Sequence, residues 1–432
     1  MSQTPNRTEA RGYLLLILIG AAIGLPAALV ASLFLATVHE LEEWLWTDLP
    51  DQLGEDSAPW YLIVGLPVAG AVIVWLARRF LPGDGGHPPL QGIGGGVTPL
   101  RYAPGIALAA LGTLPFGLVL GPEAPLIALG SAVGALVTPF VRLDDRAMTV
   151  LATAGSFSAV SALFGGPLVA GVLLLESGLA MGPQLIPALM PGLVAAAVGY
   201  LLFVGLGDWG GLNQAGLAVP NIPEYNGTRL GDLVMAVVAG VVIAVLLNRV
   251  RYLATRVQAV ADRHGMLPML LLGGLAVGLI ALVATWLNTT DDEILFSGQA
   301  AVPEVVAEGS VGVLLVILVA KSLGYAISLG SGFRGGPIFP AIFIGITITS
   351  FAVVVFDASP TWAIAVGTAA GMAAGTEMVF SALLFSMLLV GQPGLDALPA
   401  AVLAVAAVWL TKLVIAPKDA APEPDAVQPQ PG

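Results

Sequence analysis

Apolar runs of roughly helical length repeat along this chain from Tyr13 to about residue 416, and polar residues gather in the short gaps between them. The runs predict helices at 13–38, 59–81, 104–119, 122–140, 147–163, 167–180, 184–205, 230–257, 267–287, 309–328, 337–356, 361–374, 378–391 and 398–416. About 20 apolar residues are needed to cross the hydrocarbon core of a bilayer, and several runs reach that length while others fall short. Short helices broken by Gly and Pro at membrane depth are tolerated only where the broken backbone is buried in protein or lines a polar cavity. The pattern therefore predicts an all-α polytopic membrane protein with interrupted, tilted helices.

The breaks carry an internal repeat. Gly-Pro-Glu-Ala-Pro at 121–125 opens the decapeptide 121–130, and Gly-Pro-Ile-Phe-Pro at 336–340 opens 336–345; Gly and both Pro positions coincide, half a chain length apart. Ala154-Gly155 and Phe164 recur as Ala370-Gly371 and Phe380 at nearly the same spacing. A duplicated membrane protein follows, with halves at about 13–206 and 230–417 in one transmembrane domain, 13–417. Most of the 54 glycines are read as close helix packing of the small-xxx-small kind.

Composition agrees with the pattern: 57% of residues are hydrophobic and 10% charged. The first apolar run is too long for a signal-peptide core and many of its kind follow, so no targeting segment is expected. There is no cysteine, which excludes disulfides, thiolate metal sites and a Cys nucleophile. No cofactor or metal is expected. The net charge of −12 matters less than where the charges lie. Residues 39–58 hold seven acids and no Lys or Arg, whereas Arg7, Arg11, Arg78 and Arg79 flank the first two runs and Arg249, Arg251, Arg256 and Arg263 follow the eighth. The positive-inside rule then places a short N-terminus, 1–12, in the cytoplasm and the acidic loop outside. Residues 418–432, rich in Ala, Pro, Asp and Gln, are expected as a disordered cytoplasmic tail. Trp44, Trp46 and Trp60 read as an interfacial belt.

Chemistry is expected at the breaks. Pro directly after Gly signals a helix start, since first-turn N–H groups have no intrahelical partner and Pro fixes a helical φ. Two converging helix N-termini form an anion site without a full positive charge. Glu123 stands at the first of them, and an ionisable residue inside a membrane segment is costly enough to be a functional candidate. Burial disfavours its charged form while the helix start favours it, so this carboxylate can exchange a proton and act as a gate. The competing reading is a tight helix start in a packed bundle.

These residues resemble the CLC chloride channels and proton/chloride antiporters. The family's Gly-rich turn, its helix start with a gating glutamate and its second-half G-x-F-x-P start are matched in order by Gly-Asp-Gly-Gly-His-Pro at 83–88, Gly-Pro-Glu-Ala-Pro at 121–125 and Gly-Pro-Ile-Phe-Pro at 336–340. The resemblance implies an inverted repeat, a homodimer with one pore per subunit, Glu123 as the external gate, and an anion cradle from Gly85, Gly86, Gly121, Ala124, Gly336, Ile338 and Phe339. Three departures stand out: Gly85 falls where the family has a serine hydroxyl, no tyrosine follows Leu398, and Ser177 falls where the family has an internal proton-relaying glutamate, beside Glu176. Glu176 is then the candidate proton relay. Asp84 and His87 are vestibule residues or solvated loop residues; Arg334 either draws anions to the second helix start or anchors a loop. Lys321, inside an apolar run, should face an aqueous cavity or pair with a carboxylate.

The function expected is transport of a small inorganic anion, with chloride first and protons as a coupled partner; the protein should be neither an enzyme nor a nucleic-acid binder. A passive channel, or a fluoride- or nitrate-selective transporter, stays open. An intramembrane protease would need Ser with His, or two Asp, inside spans, and His39, His87 and His264 all fall near span ends. A cation-coupled inverted-repeat transporter would present helix C-termini at the breaks, so the direction of the helices at 121 and 336 discriminates.

Overall fold

The computed structural model describes residues 7–136, 144–177, 185–207, 209–212 and 217–415. The expected tail at 418–432 lies outside them, as do residues 137–140 and 178–180 at the ends of two expected helices. Seven longer helices make the first half: α1 Arg7–Glu43, α2 Trp60–Phe80, α3 Ala103–Leu111, α4 Glu123–Ala135, α5 Asp145–Phe164, α6 Pro167–Ser177 and α7 Leu185–Val204. Seven more make the second: α8 Leu230–His264, α9 Met266–Thr285, α10 Val311–Gly330, α11 Ile338–Phe356, α12 Pro360–Thr376, α13 Phe380–Val390 and α14 Leu398–Ile415. Among the described residues, eight helical stretches are long and apolar enough to cross a membrane.

The two halves pack alike. In the first, α1 lies against α4, α5 and α7, α5 touches α4, α6 and α7, and α3 joins α2 to α4; in the second, α8 lies against α11, α12 and α14, α12 touches α11, α13 and α14, and α10 joins α9 to α11. Between halves, equivalent helices meet: α2 packs on α9 and α6 on α13. These contacts between equivalent helices, and the antiparallel bridge between Gly121 and Gly336, match a two-fold relation of the halves. At that bridge the chain directions are opposed. This pairing agrees with the inverted repeat that the resemblance implies.

Local chemistry explains the helix limits. Asp144 caps α5, its carboxylate accepting from the Ala147 N–H at 2.8 Å, and Gly165, with φ 73°, ends it. The expected helix over 104–119 stops at Leu111, and an irregular stretch follows through Pro115 and Gly117. That stretch is buried rather than lipid-facing, as broken backbone must be. The helix expected over 230–257 runs on to His264, since its polar last turns project beyond the apolar run.

Close backbone approach accounts for the buried glycines. A Cβ on Gly155 would lie 2.0 Å from the Gly130 carbonyl where α5 crosses α4, and one on Gly345 would lie 2.1 Å from the Gly367 carbonyl where α11 crosses α12. Only glycine lets these helices touch so closely. Trp46 corrects one expectation: it is buried, its indole N–H donating to the Pro115 carbonyl at 2.9 Å, while Trp44 and Trp60 are exposed as interfacial residues would be.

Candidate functional site

Gly121 and Gly336 exchange two backbone hydrogen bonds, Gly121 N–H to the Gly336 carbonyl at 2.8 Å and Gly336 N–H to the Gly121 carbonyl at 2.5 Å. Each is followed by a proline as N-cap, Pro122 before α4 and Pro337 before α11. Both helices begin at the bridge, so N-termini and not C-termini meet there. This geometry is opposite to the one a cation-coupled site at these breaks would need.

Glu123, the first residue of α4, is 1% exposed. Its side chain crosses the bridge to the other half, where Oε1 accepts a hydrogen bond from the Phe339 N–H at 3.0 Å. The amides of Ile338 and of Glu123 itself also act on this carboxylate. Oε2 has no hydrogen-bond partner among the described residues. A Cβ placed on Gly336 would stand 1.6 Å from Oε2, and one on Gly121 would stand 2.3 Å from it. The carboxylate thus lies directly over the bridge, at the N-terminus of α11, where a bound anion would meet the same donors. The two glycines leave the space it fills.

Around this centre the Phe339 ring lies 5.8 Å from Phe164 of α5, which stands 4.5 Å from Phe385 of α13. Tyr325 of α10 donates its hydroxyl to the Pro337 carbonyl at 2.8 Å. A buried tyrosine at the second helix start was not expected from the sequence, because it lies on α10 far from the motifs; its position four residues after Lys321 on one helical face was the only signal.

Of the residues singled out from sequence, Glu123, Gly121, Gly336, Ile338 and Phe339 form one cluster, with Ala124 on the next position of α4. Gly85 and Gly86 sit in a turn of consecutive positive-φ residues from Gly83 to Gly86. A Cβ on Gly85 would meet Ala109, Arg78 and Arg334, and one on Gly86 would meet Ile106. Gly86 lines a cavity of about 200 Å³ that also touches Ala124, Ile127 and Ala128; Gly85 packs behind it.

Asp84 is neither merely solvated nor a vestibule wall. Its carboxylate accepts from Arg78 Nε and Nη2, each at 2.9 Å, and from Arg334 Nη2 at 2.6 Å, while Arg334 Nε donates to the Asp84 carbonyl at 3.0 Å. Arg78 Nη1 also reaches the Gly332 carbonyl at 2.7 Å. Arg334 is 4% exposed. The anchoring alternative for Arg334 is the one this geometry matches: Asp84 ties the Gly-rich turn of one half to the segment that leads into the second helix start.

Glu176 is also fully engaged. Its Oε1 accepts from the N–H groups of Val379 and Phe380 at 2.6 and 3.0 Å, and its Oε2 from the N–H and hydroxyl of Ser381 at 2.8 and 2.7 Å. These are the free donors at the start of α13, so a carboxylate from α6 caps the equivalent helix of the other half. Lys321 is wholly buried, and no carboxylate lies within ion-pair distance of it among the described residues. Its ammonium donates to the Leu295 carbonyl at 2.5 Å and lies 4.5 Å from the centre of the Phe343 ring.

Beneath the site a cavity of about 460 Å³ is lined by His87, Ser177, Arg251, Pro337, Gly375 and Glu377, among others. Arg251 also lines a neighbouring cavity of about 510 Å³ between α8 and α14. Glu377 accepts from Lys412 Nζ at 2.9 Å, and that hydrogen bond holds its carboxyl below the usual range.

The sequence profile of the family described as voltage gated chloride channel matches residues 69–412. A candidate ion-transport protein, YfeO, of Escherichia coli O1:K1 is 30% identical over 353 residues, covering 79% of each chain, and its counterpart in Escherichia coli O139:H28 is 31% identical over 355 residues. Among solved structures, a slow cyanobacterial Cl−/H+ antiporter aligns with a TM-score of 0.72 at 20% identity, covering 96% of this chain and 99% of that one. A CLC-type fluoride/proton antiporter aligns at 0.70 and 19% identity, covering 94% of this chain and 96% of the other.

Proposed function

The chain belongs to the voltage gated chloride channel family, and we propose on that premise that it carries small inorganic anions, chloride first among them, across a membrane past the paired helix starts at Gly121-Pro122 and Gly336-Pro337, with Glu123 as the gate. The observation that carries the reading is the Glu123 carboxylate lying over the Gly121–Gly336 bridge and accepting from the Phe339 N–H. A charged carboxylate there competes with an anion for the amides of Ile338 and Phe339. Protonation removes the competing charge, the side chain leaves, and the anion takes its place. Access from the cytoplasm is through the cavities that share Arg251, whose guanidinium concentrates anions below Pro337.

Fluoride and nitrate remain alternatives to chloride, since the cradle consists of backbone amides and glycine space, with no hydroxyl at Gly85 to favour one halide. Protons are a coupled partner through Glu123. The working form is a homodimer in a bacterial inner membrane with the N-terminus cytoplasmic. Reconstituted protein, loaded in turn with chloride, fluoride and nitrate, should release at least one of them far faster than protein-free liposomes do. An absence of flux with all three would overturn the proposal.

A further inference from the structure

The family's internal proton-relaying position falls on Ser177, which lines the 460 Å³ cavity and donates its hydroxyl to the Leu174 carbonyl at 3.2 Å, and the neighbouring Glu176 is committed to four donors at the start of α13. A hydroxyl does not take up a proton at neutral pH, and both oxygens of the Glu176 carboxylate are already occupied by donors. A titratable group between the cytoplasm and Glu123 would give a proton a stopping place on the way.

His87 has the required position. It lines the 460 Å³ cavity, together with Arg251 and Pro337, and it also lines the 200 Å³ cavity that reaches Ala124, Ile127 and Ala128 on the first turns of α4. The two cavities meet along His87, Ile93 and the Gly94-Gly95 turn. The imidazole Nε2 is buried and has no hydrogen-bond partner among the described residues. Gly94 permits this packing: a Cβ there would lie 3.0 Å from the His87 ring, and its φ of 79° suits glycine. A residue with a free ring nitrogen that lines two cavities large enough for water, one of them reaching Ala124, the neighbour of Glu123 in the chain, has the chemistry of a relay.

The charges facing it favour that use over a structural ion pair. In the larger cavity stand Arg251 of α8, a cation, and Glu377 at the end of α12, which Lys412 occupies. In the smaller cavity the titratable neighbour is Tyr102. On its own loop Asp84 is taken by Arg78 and Arg334. No carboxylate among the described residues forms an ion pair with His87.

We propose that His87 passes protons between the cytoplasm and the Glu123 carboxylate and is the internal proton-transfer residue of this transporter; this rests on the anion-transport reading above. When its ring turns so that Nε2 meets water in the larger cavity, the neutral imidazole accepts a proton there and becomes imidazolium. It returns to the neutral ring by releasing that proton through water in the smaller cavity to Glu123, which becomes the neutral acid. The reverse sequence carries protons out.

The test uses the full chain in liposomes of phosphatidylethanolamine and phosphatidylglycerol, with chloride, fluoride or nitrate release and proton uptake recorded together between about pH 5 and 8. For His87→Gln, the protons moved per anion should fall at least about tenfold. His87→Glu should restore proton movement with a displaced pH profile, which a packing role would not produce. An unchanged ratio in His87→Gln overturns the proposal. So does loss of both fluxes that His87→Glu fails to restore, since that marks a packing role. Wild-type protein that moves anions without protons overturns the relay and leaves the transport reading standing; wild-type protein that moves no anion overturns that reading and the relay with it.

Discussion

At the scale of single residues, the site is defined as much by missing side chains as by the one carboxylate. Gly336 was legible in the sequence as part of a helix-start motif, but its reason was not: the space above it belongs to Glu123, a residue far away in the chain. Gly336→Ala should drive the carboxylate off the bridge. Overpacking of this kind costs about 1–3 kcal/mol. Thermal unfolding in detergent should show that cost in the wild-type background and most of it relieved in the Glu123→Ala background; equal costs in both would mean that the methyl group clashes with something else. Glu123 itself was legible as a buried acid in an apolar run. Tyr325 was not, because nothing in its local sequence says that a helix from the same half returns its hydroxyl to Pro337.

Single helices and turns show where composition misleads. Asp84 reads as a solvated loop acid, and only the fold brings Arg78 and Arg334 to it. Removing one partner of a buried pair leaves the other uncompensated, at a cost of about 3–5 kcal/mol, and exposure of Asp84 places this case at the low end. Asp84→Ala should therefore destabilise more than the double change Asp84→Ala with Arg334→Leu, as measured by thermal unfolding; the opposite order would deny the clamp. Glu176 likewise reads as a proton relay from its place beside Ser177, and only the fold brings it to the first turn of α13, which it caps. Loss of a cap costs about 1 kcal/mol, and four donors put Glu176→Ala at or above that figure. Its ratio of protons to anions should stay at the wild-type value, and a collapsed ratio would return Glu176 to the proton route. Glu377 ties the end of α12 to α14 through Lys412. Because its carboxyl is held below the usual range, the link contributes above the ordinary carboxylate range and is lost as the pH falls through the depressed value. The stability gap between wild type and Glu377→Gln should be present near about pH 7 and vanish on acidification; a gap that widens on acidification would contradict that sign.

For the whole molecule, duplication was legible from two decapeptides because Gly and Pro cannot be exchanged freely at a helix start. Inversion was legible only through the family resemblance, since a sequence repeat by itself is silent about direction; the matched packing of α1–α7 and α8–α14 and the antiparallel bridge between equivalent glycines agree with it. The net charge of −12 is no obstacle to the proposed anion site, since what the bridge offers an anion is backbone amides. A cradle of amides without hydroxyls should hold chloride weakly, in the millimolar range or poorer, about −4 kcal/mol. Calorimetric titration giving micromolar binding would point to ligands elsewhere. The central claim is that the Glu123 carboxylate and the transported anion compete for one place, and anion flux against external pH for wild type, Glu123→Gln and Glu123→Ala tests it most directly. Wild-type flux should rise as external pH falls, because protonation frees the helix start, and both variants should carry anions with that dependence gone; a Glu123→Gln profile that still follows the wild-type curve would contradict the account.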